Sequence, residues 1–259
     1  MVNATASPRT ILITGATGAI GGALAELYAE PENTLFLQGR NTLQLEEVAA
    51  RCAARGARVD TKTLDIRHRQ ELTTWLHQTC ERLPVDLVIA AAGLNCNIGT
   101  KGEGESWEET EALIEVNVLA VMAMVQTMLP FMRARRQGQI ALFSSLAAYY
   151  GLPVTPSYCA SKAAIKTYGE ALRGWLAPEG IRVNVIMPGY VTSRMCREMP
   201  GPKPFLWNAE RAARFIRQGL ERDQARISFP FPLNVGTWCL AVLPPQVSER
   251  IVRLLGYRV

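Results

Sequence analysis

The sequence predicts an α/β fold: one doubly wound parallel sheet of about seven strands, in the order 3-2-1-4-5-6-7, with helices on both faces. Two observations carry this expectation. From Thr10 onward, short β-branched or aliphatic runs alternate with longer amphipathic stretches, the pattern of successive βαβ units. The chain also has 259 residues, 48% of them hydrophobic and 20% charged, with no repeat, low-complexity tract or linker, so one core suffices. Residues 1–259 are therefore expected to form a single domain, with 196–259 as substrate loop and C-terminal extension.

The elements follow in order. Expected strands run over Thr10–Thr14, Thr34–Gly39, Arg58–Leu64, Leu87–Ala91, Gln139–Ser144, Arg182–Met187 and Arg226–Phe229. Between them, stretches with apolar residues on one face predict helices at Ile20–Glu30, Thr42–Arg55, Arg69–Glu81, Trp107–Arg135, Ser157–Leu176 and Ala209–Leu220. Right-handed crossovers place these helices on both sides of the sheet. The Gly- and Pro-rich segments Cys96–Ser106 and Pro200–Pro204 read as loops around a site.

Composition narrows the function classes. Six scattered cysteines without a Cys-x-x-Cys pair read as reduced thiols, which predicts a cytoplasmic protein. The start, Met1-Val2-Asn3-Ala4-Thr5-Ala6-Ser7-Pro8-Arg9, has no export-signal pattern, and no apolar run is expected to reach the ~18–20 residues of a membrane span. The net charge is +5, but the basic residues are dispersed apart from Arg133, Arg135 and Arg136. That trio is expected to meet a helix dipole. It lacks the interleaved aromatic residues of a nucleic-acid groove, so no nucleic-acid partner is expected. No His, Cys and carboxylate cluster has metal-ligand spacing, so no metal is expected.

Directly after the first strand comes Thr14-Gly15-Ala16-Thr17-Gly18-Ala19-Ile20-Gly21, in which a helix begins. Glycines there let backbone N–H groups and the positive helix end approach a pyrophosphate. Gly15, Thr17, Gly18, Ala19, Ile20 and Gly21 are thus the expected cradle of a dinucleotide. The second strand ends at Gln38-Gly39-Arg40, where an NAD site usually places a carboxylate on the ribose hydroxyls. A guanidinium suits the 2′-phosphate of NADP instead, so NADP(H) is the expected cofactor, with NAD(H) possible.

Tyr158 and Lys162 lie four apart at the start of a predicted helix and so share a face. A phenol, with a reference pKa near 10, needs a stabilised anion to trade protons at neutral pH, and a nearby ammonium supplies that. Upstream, Ser144-Ser145 ends a strong apolar strand, at the carboxyl edge where open α/β sheets bind ligands. Ser145 is placed to hydrogen-bond a substrate oxygen.

With these residues assembled, the chain resembles the short-chain dehydrogenase/reductase family over roughly residues 9–195. The resemblance is carried by the Thr14-Gly15 turn, Asn117 in Glu115-Val116-Asn117-Val118, Ser145, Tyr158-x-x-x-Lys162, and Pro188-Gly189 after Arg182-Val183-Asn184-Val185. It implies a Rossmann-type fold and an NADP(H)-dependent oxidoreductase acting on a small carbonyl or alcohol. It also implies Asn117, Ser145, Tyr158 and Lys162 as the catalytic four, Asn117 holding a water that links Lys162 to solvent. By the same resemblance Lys162 binds the nicotinamide ribose, Asp65 and Ile66 meet the adenine, Ala92 and Gly93 line the cofactor, and Pro188, Gly189, Val191 and Ser193 flank the carboxamide. A homodimer or homotetramer through the Trp107–Arg135 and Ser157–Leu176 helices is implied as well.

The pattern departs in three places. Ala19 stands where the family's second motif glycine is usual, with Gly18 before it; Ala90-Ala91-Ala92-Gly93 lacks the customary asparagines; and Leu233–Leu243 carries no formal charge and holds Trp238. This tail is expected to be buried against the domain or in a subunit interface. The alternative is peripheral membrane contact or an entrance for a lipid-like substrate, and tails of family members acting on steroids, lipids or cell-envelope carbohydrates are similar. Two rival functions stand beside the enzyme reading. One is a catalytically silent nucleotide-binding regulatory or scaffold protein of the same fold. The other is a Ser145 hydrolase, disfavoured because His68 and His77 both fall in an early helix.

Overall fold

The computed structural model describes residues 9–99 and 102–257. The reading of Met1–Pro8, and the parts of the loop and tail readings that fall on Thr100, Lys101, Arg258 and Val259, lie outside the described residues.

Seven parallel strands form one sheet in the order β3-β2-β1-β4-β5-β6-β7. They are β1 (Thr10–Thr14), β2 (Thr34–Gly39), β3 (Arg58–Thr63), β4 (Leu87–Ala90), β5 (Gly138–Phe143), β6 (Ile181–Pro188) and β7 (Arg226–Phe229). The order reverses at β1, which pairs with β2 on one side and β4 on the other; Ile11 faces both Leu35 and Leu87. This is the expected sheet. Because side chains alternate across a strand, Ile11 and Ile13 enter one buried cluster with Leu24, Leu45 and Ile216, while Leu12 enters another with Leu72, Met128 and Ile165. Helices α1 (Ala19–Tyr28), α2 (Thr42–Ala53) and α8 (Ala209–Glu221) supply the first layer; α3 (Arg69–Arg82), α5 (Ala120–Arg135) and α6 (Pro156–Leu176) supply the second. The polar sequence of β3 suits its edge position.

The predicted Trp107–Arg135 helix is instead three pieces: α4 (Trp107–Ile114), a π turn at Glu115–Leu119, and α5. A π turn inserts one residue into the helical ladder and is frequent at functional sites. An 18-residue window of this stretch has a mean hydropathy of 1.8. That corrects the expectation that nothing here is long and apolar enough to span a bilayer. Just over half of the window, 56%, is nevertheless buried inside the protein, as for a core helix.

The arginine trio closes the end of α5. Arg133 donates to both Glu179 oxygens (2.6 and 2.8 Å), Arg135 to Val85 O (2.9 Å) and Arg136 to Pro178 O (2.8 Å). None of the six cysteines is disulfide-bonded. After β7 the tail forms α9 (Leu233–Val242) and α10 (Pro245–Leu254), beyond the short α7 (Arg194–Glu198). Leu240, Val252 and Tyr257 pack on Val154, Tyr150 and Leu152, but within Leu233–Leu243 only Leu240 is buried, less than expected. The tail leaves Phe231, Val235, Trp238 and Val242 exposed.

Candidate active site

All seven parallel strands end on one edge, and the crevice there begins at the β1–α1 turn. Gly15 has φ +69°, and a Cβ on it would lie 2.6 Å from the Ala92 backbone. A Cβ on Gly21 would lie 2.2 Å from Gly15 O. These two positions admit only glycine, whereas a Cβ on Gly18 would meet nothing nearer than Gly15 O at 3.2 Å. Gly18 instead precedes α1 as an extended cap without a side-chain bond, leaving first-turn N–H groups facing the crevice. Gln38 braces the turn: its Oε1 accepts from Gly15 N (3.2 Å) and its Nε2 donates to Leu64 O (2.7 Å). Pattern reading missed Gln38, because a glutamine in a buried strand carries no motif.

At the end of β2, a Cβ on Gly39 would approach Thr17 Cγ2 to 2.7 Å. A carboxylate is therefore excluded at Gly39 while Thr17 holds its place. Arg40 is exposed at the rim and forms no ion pair among the described residues. Asp65 lines the same crevice, but both its oxygens bind Arg67, at 2.7 to 3.2 Å. Those bonds hold its carboxyl below the usual range, and Arg40 adds to the effect.

Past β4, Asn117 sits in the π turn and is 1% exposed. Its Oδ1 accepts from Leu94 N (2.8 Å), and its Nδ2 donates to Leu94 O and Ser161 Oγ (both 3.0 Å). A carboxamide thus pins the chain just after Gly93 to α6. A Cβ on Gly93 would lie 3.3 Å from Asn117 Oδ1 and 3.6 Å from Lys162 Nζ, which places Gly93 between those two side chains.

The two serines after β5 divide their roles. Ser144 is buried and donates to Lys162 O (2.7 Å), joining strand to helix. Ser145 faces the crevice, donates to Pro188 O (3.3 Å), accepts from Ala147 N (3.1 Å) and stands close enough to the Tyr158 phenol to favour its ionised form. Lys162 is 5% exposed, donates to Phe143 O (3.0 Å), and lies 5.5 Å from the centre of the Tyr158 ring. Removal from water pushes Tyr158 up to about 12, partly countered by Ser145, and pushes Lys162 down to about 8. In the free protein the Tyr158 phenol therefore stands above its ordinary value, not below it as the sequence suggests, because burial dominates.

After β6, Pro188, Gly189, Val191 and Ser193 all line the crevice. Val191 bridges to Trp207, and Ser193 Oγ accepts from Cys196 N (3.0 Å) to cap α7. Thr17, Ala19, Ile20, Ile66 and Ala92 line it too, so every sequence-predicted residue except Asn117 borders one cavity of about 790 Å³. Asn117 stands behind the wall.

Glu105 was also missed. Its carboxylate accepts from Ser157 N (3.2 and 3.1 Å), from Ser157 Oγ, and from Cys96 Sγ (3.5 Å). It comes from a loop distant in sequence and satisfies a donor at the start of α6, whose own cap Thr155 turns away to Asn95 Oδ1 (2.9 Å) and Cys96 O (2.6 Å). An acid in a Gly-rich loop gives no periodic signal. His68 and His77 sit exposed on and before α3, beside Glu71 and Glu81, and neither borders the cavity. Among the described residues no group of three or more His, Cys, Asp or Glu could hold a metal.

A parallel sheet with a glycine cradle at its reversal point, facing a hydroxyl pair and a buried lysine, defines a nucleotide-binding α/β protein with an oxidoreductase-type site. The family model for short chain dehydrogenases matches residues 9–202, and the chain belongs to that family of oxidoreductases. An uncharacterized oxidoreductase of Myxococcus xanthus is 34% identical over 257 residues, covering 96% of this chain and 98% of its own. A 3-oxoacyl-[acyl-carrier-protein] reductase of Thermotoga maritima is 27% identical, over 74% of this chain and 78% of its own. Among solved structures, a short-chain dehydrogenase from Sphingobium yanoikuyae in complex with NADPH superposes with a TM-score of 0.80 at 21% identity, covering 95% of each chain.

Proposed function

We propose that this chain is an NADP(H)-dependent reductase, or dehydrogenase in reverse, in which Tyr158 passes a proton to or from a carbonyl oxygen. The observation that carries this reading is that Ser145 and Tyr158 both line the crevice, with Lys162 Nζ 5.5 Å from the centre of the phenol ring. Gly15 and Gly21 leave room for a pyrophosphate, Gly39 leaves no place for a ribose carboxylate, and Arg40 has its guanidinium at the rim. Those residues fit NADP(H). The Sphingobium relative bound to NADPH shares the fold. When bound, the nicotinamide supplies or takes the hydride.

The chain's own residues handle the proton. With its pKa near 12, Tyr158 is a neutral donor at pH 7. Ser145 holds the substrate oxygen beside it. As the phenol releases its proton, the Lys162 ammonium stabilises the phenolate left behind; Lys162, at about 8, is still charged at pH 7. Asn117 keeps Leu94 and α6 in register, so that Gly93 can separate Lys162 from the π turn. The silent nucleotide-binder reading is disfavoured by the completeness of this set. A dimer or tetramer across α5 and α6 belongs to the same proposal; Leu119 and Trp175 are exposed on that side.

The test is NADPH oxidation against a ketone panel. Tyr158→Phe is expected to lower kcat by roughly 10²–10⁴-fold while NADPH affinity stays within about twofold. Undiminished turnover ends the assignment. Arg40→Ala is expected to lower kcat/KM for NADPH about tenfold and leave NADH unchanged, the loss of one charge-assisted phosphate contact. An equal effect on both cofactors refutes the NADP preference.

A further inference from the structure

We propose that the substrate is an elongated, uncharged, mainly apolar ketone or alcohol whose distal part leaves the catalytic cavity and lies in a second cavity against α10. The proposal rests on the reading of Tyr158 given above and names the substrate class for that site.

A second cavity of about 1060 Å³ lies beyond the 3-10 turn Leu146–Ala148. It is walled by the Tyr149–Pro153 segment, by Cys159, Ala160 and Ala163 of α6, and by the last turns of the tail. Ala147, Tyr150, Leu152, Val252 and Tyr257 line both this cavity and the catalytic one. The two spaces therefore meet across one sill, and that sill is made of aliphatic and aromatic side chains.

Volume points the same way. The catalytic cavity of about 790 Å³ runs from Arg40 past the glycine turn and Val191, the path a dinucleotide needs, and on to Leu240 and Tyr257. Beyond Ser145 its wall is continued by Leu240, Val252 and Tyr257 of the tail, so the substrate end opens toward the sill. A larger substrate has its adjoining room across the sill.

Charge selects the class. No residue of the sill carries a formal charge. The charged side chains lining the second cavity, Glu249 and Arg253, are paired with each other at 2.6 Å. A carboxylate or phosphate lying on the sill would lose its water and find no counter-charge. A hydrocarbon segment instead gains about fourfold in binding per buried methylene. The sill is also held in place. Tyr257 OH hydrogen-bonds Tyr190 OH and donates to Pro202 O (2.8 Å), and Ser248 Oγ donates to Leu240 O (2.8 Å), tying α10 to α9.

The experiment uses the whole chain and straight-chain 2-alkanones from 2-butanone to 2-dodecanone, with NADPH. Two variants fill the second cavity without touching the first: Ala160→Trp, at an exposed position of α6, and Gly151→Trp, where an added Cβ meets nothing within 4 Å. In the wild type, kcat/KM is expected to climb with chain length by up to about fourfold per methylene once the chain crosses the sill. In the variants that climb is lost by tenfold or more for 2-dodecanone, while 2-butanone is turned over as before, which also reports an intact fold. Binding of 2-dodecanone to the NADPH-loaded proteins, followed by intrinsic fluorescence, gives a readout without turnover. If no ketone is reduced but both variants weaken 2-dodecanone binding, the Tyr158 reading falls and the second cavity stands. A flat chain-length profile, or variants that bind and reduce 2-dodecanone like the wild type, overturns the proposal.

Discussion

Lys162 is a buried cation without an anionic partner among the described residues, and the fold should be less stable for holding it. Burial lowers its pKa from 10.5 to about 8. The unfolded chain keeps its proton up to 10.5, so between pH 8 and 10.5 the unfolded state binds more protons and stability rises with pH. Below pH 8 the fold carries the full penalty. The gap between 10.5 and about 8, at ~1.4 kcal/mol per pH unit, makes that penalty about 3 kcal/mol. Lys162→Met removes it and keeps the apolar stem, but leaves Phe143 O without the Nζ donor now 3.0 Å away, a loss of about 1–2 kcal/mol. The variant should therefore be about 1–2 kcal/mol more stable than the wild type at pH 7. That advantage should shrink, then reverse, as pH approaches 10. Urea denaturation of both proteins from pH 7 to 10 measures it. Burial also raises Tyr28 to about 12 and Cys52 to about 11, which lowers stability at high pH, but equally in both proteins. A variant less stable at pH 7, or a gap unchanged up to pH 10, refutes the reasoning.

Two further outcomes follow from the glycine turn and the Glu105 clamp. Gly15→Ala places a side chain at φ +69° and 2.6 Å from Ala92; a strain of roughly 1–2 kcal/mol plus backbone displacement should lower Tm and weaken NADPH binding more than tenfold. Gly18→Ala should do neither, and equal behaviour of the two in calorimetry contradicts the packing argument. Glu105→Gln keeps the shape but neutralises the acceptor of the Ser157 bonds. About 1.4 kcal/mol lost there predicts a tenfold fall in kcat/KM and faster proteolysis within 95–106; unchanged values in both assays remove Glu105 as a positioning residue.

The sheet was legible because its signals are local. A strand buried on both faces writes a near-continuous apolar run, so β1 and β2 begin and end where the sequence places them. Boundaries elsewhere moved by no more than a residue or two. The helix α1 stops at Tyr28, short of the predicted Glu30, ahead of Pro31, which disfavours helical backbone in the residue before it. The π turn was not legible. Val116, Asn117 and Val118 are weaker helix formers than their neighbours, but propensity does not distinguish a π turn from an α turn, and the extra residue answers a tertiary demand, the bonds of Asn117 to Leu94 and Ser161. Nor was the upward shift of Tyr158 visible. Spacing placed Lys162 near the phenol, but the enclosure that removes both from water is a property of the assembled crevice.

The missing asparagines after β4 clarify what that segment does. Ala90-Ala91-Ala92-Gly93 stands where asparagines are usual in the family. The structure ties the chain down one and two residues later: Leu94 by both of its backbone groups to the Asn117 carboxamide, Asn95 through its side chain to Thr155 Oγ1. The backbone of this stretch also packs closely against the glycine turn. Gly15 reaches to within a Cβ's length of Ala92, and Gly93 lies between Asn117 and Lys162. A Cβ on Gly15 would meet the Ala92 backbone and drive the two segments apart. The helix start that faces a phosphate and the ammonium behind the phenol are therefore held at one spacing by the same four-residue stretch, which couples the proposed cofactor cradle to the proposed proton donor through backbone packing alone.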